Sequence, residues 1–505
     1  MRQYNKPKQI NRQEKSDMPI EPTSAKLEKN VESIRNIFFY SDDICERIFT
    51  FNGNKGILMF VNSIADQDLI QLNVLKPLFE IKSGDIENTV NISLIHKSND
   101  LNYCAQTMVE GHCLLMMEDE TDIYLLNVAN HDIKDIQEPD NEQIVRGSHQ
   151  GFSENIIVNI HLIRERIKTP ALRVKLSSIG ETSNSKFALL YIENLSDPQL
   201  INEIERRISY LKIDSIQSPG HFEEFLEDYP FSPFPQFLNT ERPDRTAAHL
   251  MEGRVALIME GSSTALIFPV TFFSFFQSSE DYNQRTFIGS FFRMIRLLSF
   301  IIALGLPAFY VAIISFNYEV IPAEIIFSIK SSLEFVPFPP VIEAMLMQVT
   351  LELLREAAVR LPTPIAQTIG VVGGLVIGTA IVEAHLVSNT MIIVVAITAI
   401  SSFVIPSNEM SNTIRVLGFP IMVMAAIFGF LGIVISVLIL FIHLVKLKPF
   451  GCPYFFPLAP LDFKGLKDSI LRFPIWAMNV RPKDANPVYR WKESYSRGWK
   501  KNADK

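Results

Sequence analysis

The pattern of apolar and polar positions divides this chain into two parts. Up to residue 296, short apolar runs alternate with polar turns and with segments of helical periodicity. Short apolar runs are typical of buried strands, and the periodic segments between them are typical of amphipathic helices. Beyond residue 296 the apolar runs lengthen towards about 20 residues, the length that crosses a bilayer as a helix. The pattern therefore predicts a soluble α/β domain followed by an α-helical polytopic membrane domain.

The soluble part contains an internal repeat. The segment ILMFVNSIADQDLI at 57–70 aligns without gaps with ALLYIENLSDPQLI at 188–201. Each copy has an apolar strand, a polar turn and an aspartate, Asp66 or Asp197, at the position that caps a helix. A second pair, at 111–126 and 253–268, has the pattern of two strands around a short turn. We interpret the two pairs as a duplication that gives two similar α/β subdomains, at 31–145 and 150–276.

The other segments are assigned from their composition. Residues 1–30 are polar and contain three prolines, which predicts a disordered tail, and residues 132–150 form a polar linker. A connector at 277–296 leads into a membrane domain at 297–445, and a basic cytoplasmic tail follows at 446–505. The membrane domain is predicted to contain spans at 297–316, 365–384, 391–405 and 416–443, with a kink at Pro307 in the first span, and an amphipathic helix at 340–360.

Basic residues predict the orientation of these spans. Arginines precede the first span, and the tail from Lys446 carries 13 basic and five acidic residues. Lysine and arginine accumulate on the cytoplasmic side of membrane helices, so both flanks are expected there, with an even number of spans between them. The phenylalanine-rich run at 268–292 is expected to anchor at the lipid headgroups.

Composition narrows the class of protein. The 505 residues are 48% hydrophobic and 20% charged, with a formal net charge of −8. Residues 1–296 carry 42 acidic and 30 basic residues, whereas residues 297–445 carry only eight and four. The acidity argues against nucleic acid as a main partner. The sequence contains no zinc-protease, phosphate-binding-loop or nucleophile-elbow motif, so we expect neither an enzyme nor a bound metal or cofactor.

The amphipathic helix at 340–360 carries one carboxylate on its apolar side. Glu343 lies in the middle of that side, which it shares with Thr350. If several copies of the chain surround a pore, Glu343 forms a ring that attracts cations. Alternatively, Glu343 lies near the first turn and interacts with the N-terminus of its own helix, which favours acids. Glu343 and Thr350 are therefore candidate pore or gating residues.

The opposite side of this helix is charged. Glu352, Arg355, Glu356 and Arg360 lie within or next to one sector, at spacings that allow ion pairs. They are candidates for vestibule or subunit contacts, and the alternative is a solvated helix face.

The second predicted span carries small residues at intervals of four. A row of this kind, here Ala366, Gly370, Gly374 and Gly378, lets helix backbones approach closely in lipid, and the alternative is an ion path along exposed carbonyls. At the end of this span, Glu383 is a further candidate gating residue, or an interfacial carboxylate.

Several motifs together carry a resemblance to a known family. They are PFSPFPQ at 230–236, TERP at 240–243, EGRVALI at 252–258, FFQSSEDY at 275–282, VPFPPVIEA at 336–344, ELLRE at 352–356, RLPTPIAQTIGVVGG at 360–374 and ISSFVIP at 400–406. As a set, these motifs resemble the A subunit of the GerA-type spore germinant receptors. The resemblance covers about 189–482 and extends more loosely from residue 37.

The resemblance implies a location and a function. Such A subunits lie in the inner membrane of bacterial endospores and act with a transporter-like B subunit and a lipoprotein C subunit. The complex senses nutrients and triggers ion release, with the A subunit as a homo-oligomeric, nutrient-gated cation channel. A second hypothesis is a non-conducting scaffold that couples the B subunit to release machinery. A secondary transporter is disfavoured, because the spans show no clear inverted repeat.

Overall fold

The computed structural model describes residues 21–81, 84–130, 137–362, 365, 374, 376 and 378–492. The chain forms two compact units. The sheet unit contains the described residues up to 143, with 148–222 and 239–267. The helical unit contains 144–147, 223–238 and the described residues from 268 onwards.

The sheet unit contains two five-stranded sheets of the same topology. The strands are β1 (Ile44–Phe51), β2 (Asn54–Val61), β3 (Ile95–Ser98), β4 (His112–Met117), β5 (Ile123–Asn127), β6 (Leu172–Ile179), β7 (Ser185–Ile192), β8 (Leu238–Thr240), β9 (Val255–Met259) and β10 (Ala265–Phe268). The order is β1-β2-β4-β5-β3 in one sheet and β6-β7-β9-β10-β8 in the other. By chain position both orders are first, second, fourth, fifth, third, which confirms the prediction of two similar subdomains.

The helices of the two subdomains also correspond. They are α1 (Leu27–Ile37), α2 (Gln67–Leu69), α3 (Lys76–Glu80), α4 (Ile86–Thr89), α5 (Leu101–Met108), α6 (Ile156–Arg166), α7 (Pro198–Tyr210), α8 (Pro219–Leu226) and α9 (Pro243–Leu250). In each subdomain one helix precedes the first strand, helices follow the second strand, and one helix lies between the third and fourth strands. A π-helical turn at Ile70–Leu75 joins α2 to α3.

The repeated aspartates cap helices as the sequence predicts. The carboxylate of Asp66 accepts hydrogen bonds from the backbone N–H groups of Asp68 and Leu69 at the start of α2. Asp197 accepts one from Gln199, and Pro198 occupies the first turn of α7, where no backbone N–H is required.

The apolar runs are continuous because both faces of the first sheet are covered. Along β2, Ile57 and Met59 pack with α1 and α5 in one core, whereas Leu58 packs in the opposite core. In the second subdomain a corresponding core joins β7 and β9 to α6 and α9. A strand that is buried on both faces has no solvent side on which polar residues would alternate.

A buried ion pair joins the two subdomains. Arg164 of α6 donates from Nε to Asp43 at 2.6 Å and from Nη2 at 2.9 Å, and the two side chains are 0% and 1% exposed. The turn that carries Asp43 also covers the edge of β6, because the N–H of Asp42 donates to the carbonyl of Val174 at 2.9 Å. The edge strand of one subdomain is therefore paired by the chain of the other.

The helical unit contains the apolar helices. The elements are α10 (Ser279–Asn283), α11 (Thr286–Phe316), α12 (Ala323–Leu333), α13 (Pro340–Val359), α14 (Asn389–Phe403), α15 (Asn408–Phe428), α16 (Phe430–Lys446) and α17 (Leu466–Ser469). Among the described residues, α11 and α15 are long and apolar enough to cross a membrane, and α14 and α16 are shorter apolar helices. Helix α11 continues through Pro307, which is buried.

The structure divides the span expected at 416–443. Gly429, with φ 60° and ψ −139°, ends α15 and precedes α16. Thr413 near the start of α15 and His443 near the end of α16 both bond to residues 232–233, so the two helices form an antiparallel hairpin. A single helix of that length would extend about 42 Å, which exceeds the roughly 30 Å of a bilayer's hydrocarbon core, so two shorter helices match it better.

Two further segments differ from the sequence-based assignment. Helix α1 begins inside the tail predicted at 1–30, and the N–H of Thr23 donates to the carbonyl of Asn99, so the end of that tail is packed. Half of the span predicted at 365–384, including Ala366 and Gly370, lies outside the described residues.

Candidate functional site

The interior of the helical unit holds two groups of polar side chains. The first group joins three helices at Glu343 in the first turn of α13. Its Oε1 accepts a hydrogen bond from the backbone N–H of Ser388 at 2.5 Å, and another from the Ser388 hydroxyl. The hydroxyl of Tyr310 in α11 lies 3.2 Å from the same serine Oγ. Glu343 is 0% exposed, so its carboxylate is enclosed within its own chain.

The second group lies at the other end of α13. Arg415 of α15 donates to Glu352 at 2.9 Å. Arg355 lies 3.6 Å from Glu352 and donates to the hydroxyl of Ser402 at 3.2 Å. Its guanidinium also lies 4.4 Å from the ring centroid of Phe403, within the range of a cation–π contact. The charged side of α13 is therefore partly a contact surface for α14 and α15.

These contacts fix the direction of α13 relative to its neighbours. The start of α13 meets Ser388, the N-cap of α14, and the end of α13 meets Ser402, near the end of α14. The two helices therefore run in parallel. Because Glu352 meets Arg415 near the start of α15, α13 and α15 run in opposite directions.

The proline-rich segment at 230–236 lies within residues 223–238, which belong to the helical unit. The chain before 223 and after 238 belongs to the sheet unit. Ser232 Oγ lies 2.8 Å from His443 Nε2 of α16. The carbonyl of Pro233 accepts from the hydroxyl of Thr413 at 2.5 Å, and the carbonyl of Pro235 accepts from Tyr454 at 2.7 Å. Proline carbonyls are available as acceptors here because proline has no N–H and cannot form a regular ladder.

Carboxyl groups accumulate where this segment meets α15. Burial raises the pKa of Glu223 to about 9, and the carboxylates of Glu409 and Glu227 raise it further. Burial also raises the pKa of Glu227 to about 7, with a contribution from Glu224. Glu223 is therefore protonated at neutral pH, which reduces repulsion from Glu409 in the first turn of α15.

The TERP motif holds the linker within the sheet unit. Glu142 accepts hydrogen bonds from the hydroxyl of Thr240 and from Arg245 at 2.6 Å. Arg242 donates to the carbonyl of Ser148 at 2.8 Å, and Glu241 accepts from the backbone N–H of Asn141 at 3.0 Å. Asn141, Glu142 and Ser148 of the linker are thus fixed to the subdomain that follows.

Arginines near the start of α11 form an internal clasp. Arg293 is 0% exposed, and it lies 3.2 Å from Asp281 and 3.0 Å from Asp468 of α17. Arg296 lies 2.6 Å from Asp281. These arginines are therefore more than charges that flank the first predicted span, because they bind the C-terminal segment to the start of α11.

The phenylalanine-rich run is divided between two environments. Phe272, Phe273, Phe275 and Phe276 are at most 4% exposed. Rings of this cluster meet Phe300 of α11 and, through Phe455, Phe441 of α16. The middle of α11 and the last turns of α16 therefore meet at one aromatic cluster. In contrast, Phe287 and Phe291 are exposed, so only that part of the run is available for headgroups.

The other candidate residues are separate from these groups. Thr350 is half-buried, and its hydroxyl donates to the carbonyl of Leu346 in its own helix. Glu356 and Arg360 pair with each other at an exposed position, and Glu383 is exposed. A Cβ atom added at Gly374 or Gly378 would have no neighbouring atom within 4 Å, so neither glycine packs closely against the described part of this chain. Within the described residues, no group of three metal-ligating side chains lies together.

Sequence reasoning missed Ser388, Tyr310, Arg415 and Asp468. Ser388 was detectable in part, because Ser-Asn-Thr before an apolar run is a helix-start signal. Its partner, 45 residues away, was not.

This chain resembles a known protein family and several individual proteins over most of its length. The model of the Bacillus/Clostridium GerA spore germination protein family matches residues 32–484. A Bacillus subtilis protein described as uncharacterized membrane protein YfkQ is 38% identical over 478 residues, covering 93% of this chain and 93% of that protein. Spore germination protein KA of Bacillus subtilis is 34% identical over 485 residues, covering 94% and 89%. Spore germination protein A1 of Bacillus subtilis is 40% identical over 381 residues, covering 75% and 78%.

One solved structure also aligns with the chain. It is the N-terminal domain of the A subunit of the Bacillus megaterium spore germinant receptor GerK3, with a TM-score of 0.40 and 24% identity. It covers 50% of this chain and 98% of that domain. The resemblance carried by the motifs is confirmed by the family match, and this chain belongs to the GerA family of spore germination proteins.

Proposed function

We propose that this chain is the A subunit of a nutrient germinant receptor in the spore inner membrane, where several copies form a nutrient-gated cation channel. The observation that carries the proposal is the charged interior of the apolar helical unit. Glu352, Arg355 and Arg415 lie at contacts between helices of this unit. Ionisable side chains are rare in such helices and mark ion pathways or switching elements in membrane proteins.

The partners follow from the family. A transporter-like B subunit recognises the nutrient, a lipoprotein C subunit completes the receptor, and membrane lipid surrounds the exposed apolar side chains of α11 and α16. The proline-rich segment supports a coupling route along the chain, because it contacts both helices of the α15–α16 hairpin and the chain outside 223–238 belongs to the sheet unit.

The orientation places the sheet unit and the C-terminal tail on the spore-core side. Support comes from the aromatic cluster, because Phe300, near the start of the span predicted from residue 297, and Phe441, near the end of α16, both pack in it. The number of crossings is then even. Labelling single cysteines at Asn317 and at Lys448 with an impermeant thiol reagent in sealed vesicles tests this, because only opposite accessibility agrees with it.

The channel is tested by reconstitution. Full-length chain in liposomes, alone and with its B and C subunits, is assayed for potassium flux in the presence of amino acids, sugars and nucleosides. Flux that requires the chain supports the channel. If the complete receptor gives no flux but still triggers ion release in spores, the second candidate, a non-conducting scaffold, replaces it. The enclosure of Glu343 within one chain favours that candidate, because a pore ring requires exposed carboxylates.

A further inference from the structure

Glu343 lies in α13, but its carboxylate caps a different helix. Ser388 is the N-cap residue of α14, and its hydroxyl accepts from the N–H of Met391 at 3.2 Å. Glu343 binds both the N–H and the hydroxyl of this serine, so its negative charge lies at the positive end of α14. Tyr310 of α11 approaches the same hydroxyl at 3.2 Å. Three helices therefore meet at one carboxylate.

This junction is closed to solvent. Glu343 is 0% exposed, Ser388 is 1% exposed and Tyr310 is 7% exposed. The Oε2 atom of Glu343 is buried with no hydrogen-bond partner among the described residues. A buried carboxylate with one satisfied oxygen is stable only while its donors stay in place, because leaving such a group unsatisfied is strongly unfavourable. The contact therefore favours one arrangement of α13 and α14 over others.

The junction also differs from what a pore ring requires. A selectivity ring presents carboxylates to a water-filled lumen, where ions reach them. The carboxylate of Glu343 is instead covered by side chains and backbone of its own chain. Its position explains why the apolar side of α13 contains an acid without requiring a lumen at that point.

We propose that Glu343 is a positioning residue that holds the start of α14 against α13 and α11 in the resting receptor, and that release of this contact opens the receptor. The proposal rests on the proposed function in that it assumes a receptor with resting and active states. It does not depend on whether this chain itself conducts. A stimulus that separates α13 from α14 breaks the contact, and a substitution that removes the contact shifts the same equilibrium without a stimulus.

The two roles of Glu343 differ in what they predict for Ser388. If Glu343 lines a pore, removal of the Ser388 hydroxyl leaves the ring charge intact. If Glu343 positions α14, Ser388→Ala removes part of the same contact and resembles Glu343→Ala. Glu343→Gln keeps an acceptor oxygen for Ser388 and retains most of the contact, although a pore ring would lose its charge.

The experiment uses spores that contain the chain with its B and C subunits. Potassium release from dormant spores is measured without nutrient for Glu343→Ala, Ser388→Ala, the double variant and Glu343→Gln. Glu356→Gln is the matched control, because it neutralises an exposed carboxylate on the same helix. Immunoblots establish that each variant is present at the level of the unmodified chain. For any variant that conducts in planar bilayers, the reversal potential is recorded in a potassium chloride gradient.

We expect Glu343→Ala and Ser388→Ala each to raise nutrient-independent release on the order of tenfold, within the range usual for coupling between sites. The double variant should exceed neither single variant by much, and Glu343→Gln and Glu356→Gln should stay near the unmodified level. Where current is measurable, the reversal potential should not change. If the Glu343→Ala chain does not accumulate in spores, the nutrient-independent release of Ser388→Ala tests the proposal.

Other results overturn the assignment. If Ser388→Ala is silent while Glu343→Gln shifts the reversal potential, Glu343 lines the pore. If all variants accumulate and none leaks, the contact does not hold the resting state. A chain that never conducts in bilayers, with leaky spores for both alanine variants, would refute the channel and leave the positioning role intact.

Discussion

The ion pair between Asp43 and Arg164 is expected to stabilise the arrangement of the two subdomains. Asp43→Ala would leave the guanidinium of Arg164, whose side chain is 0% exposed, without its two bonds of 2.6 and 2.9 Å. Breaking a buried pair in this way is unfavourable by about 3–5 kcal/mol, so the local opening equilibrium should rise by a factor on the order of 10²–10⁴. The measurement is amide hydrogen exchange of the full-length chain in detergent, read at peptides from β1 and β6.

Two further variants decide whether this reasoning is correct. Glu203→Ala removes an exposed pair with Arg206 and should change the free energy of local opening by less than about 1 kcal/mol. The double variant Asp43→Leu with Arg164→Met replaces the buried pair by apolar groups and should recover most of the lost protection. Protection that falls by less than tenfold in Asp43→Ala, or a double variant as unprotected as the single one, would refute the role assigned to this pair.

Three other predictions concern packing and pH, each read as thermal unfolding of the full-length chain in detergent. Gly432→Ala places a methyl group 2.0 Å from a backbone oxygen of α15 and should destabilise the chain by about 1–3 kcal/mol. The methyl group of Gly418→Ala has no neighbouring atom within 4 Å, so this variant should be neutral or slightly stabilising. Equal effects of the two substitutions would contradict the hairpin. Burial lowers the pKa of His249 to about 4, with nearby Arg254 acting in the same direction, so stability should fall by up to about 3 kcal/mol as the pH drops from about 6.5 to 4, and His249→Gln should remove this loss. Burial raises the pKa of Glu223 to about 9, so its contribution is complete below about pH 4.5 and is lost as the pH rises through 9; a pH profile unchanged in Glu223→Gln would argue against the buried site.

Much of the sheet unit is predictable from sequence because its signals are local. An apolar run followed by a turn and a capping aspartate specifies a strand and a helix start, and these signals occur twice. The third strand of each sheet, β3 or β8, escaped detection because it is short, with three or four residues at the sheet edge. Each of these segments is a strand because it pairs with a strand from elsewhere in the chain, and not because of its own pattern of apolar residues.

The helical unit was less predictable because its key contacts are distant in sequence. Glu343 was recognised as an unusual acid, but Ser388 and Tyr310 come from other helices and carry no signal that refers to Glu343. Gly429 lies within a long apolar stretch, so the mean hydropathy of that stretch does not reveal a turn there. A glycine can adopt the positive φ that a reversal of the chain requires. Hydropathy therefore identified the apolar region, whereas the turn within it depends on one residue.

The duplicated strand order has a consequence for how this protein diversified. The connection between the second and third strands is about a dozen residues longer in the later copy, and part of it, residues 223–238, is built into the helical unit. The corresponding connection of the earlier copy stays within the sheet unit. Because a surface connection accepts extra residues without disturbing strand register, the later copy carries the additional residues and keeps the strand order of the earlier copy. A change of length at 223–238 therefore alters the helical unit, whereas a change of length in the earlier connection alters the sheet unit alone.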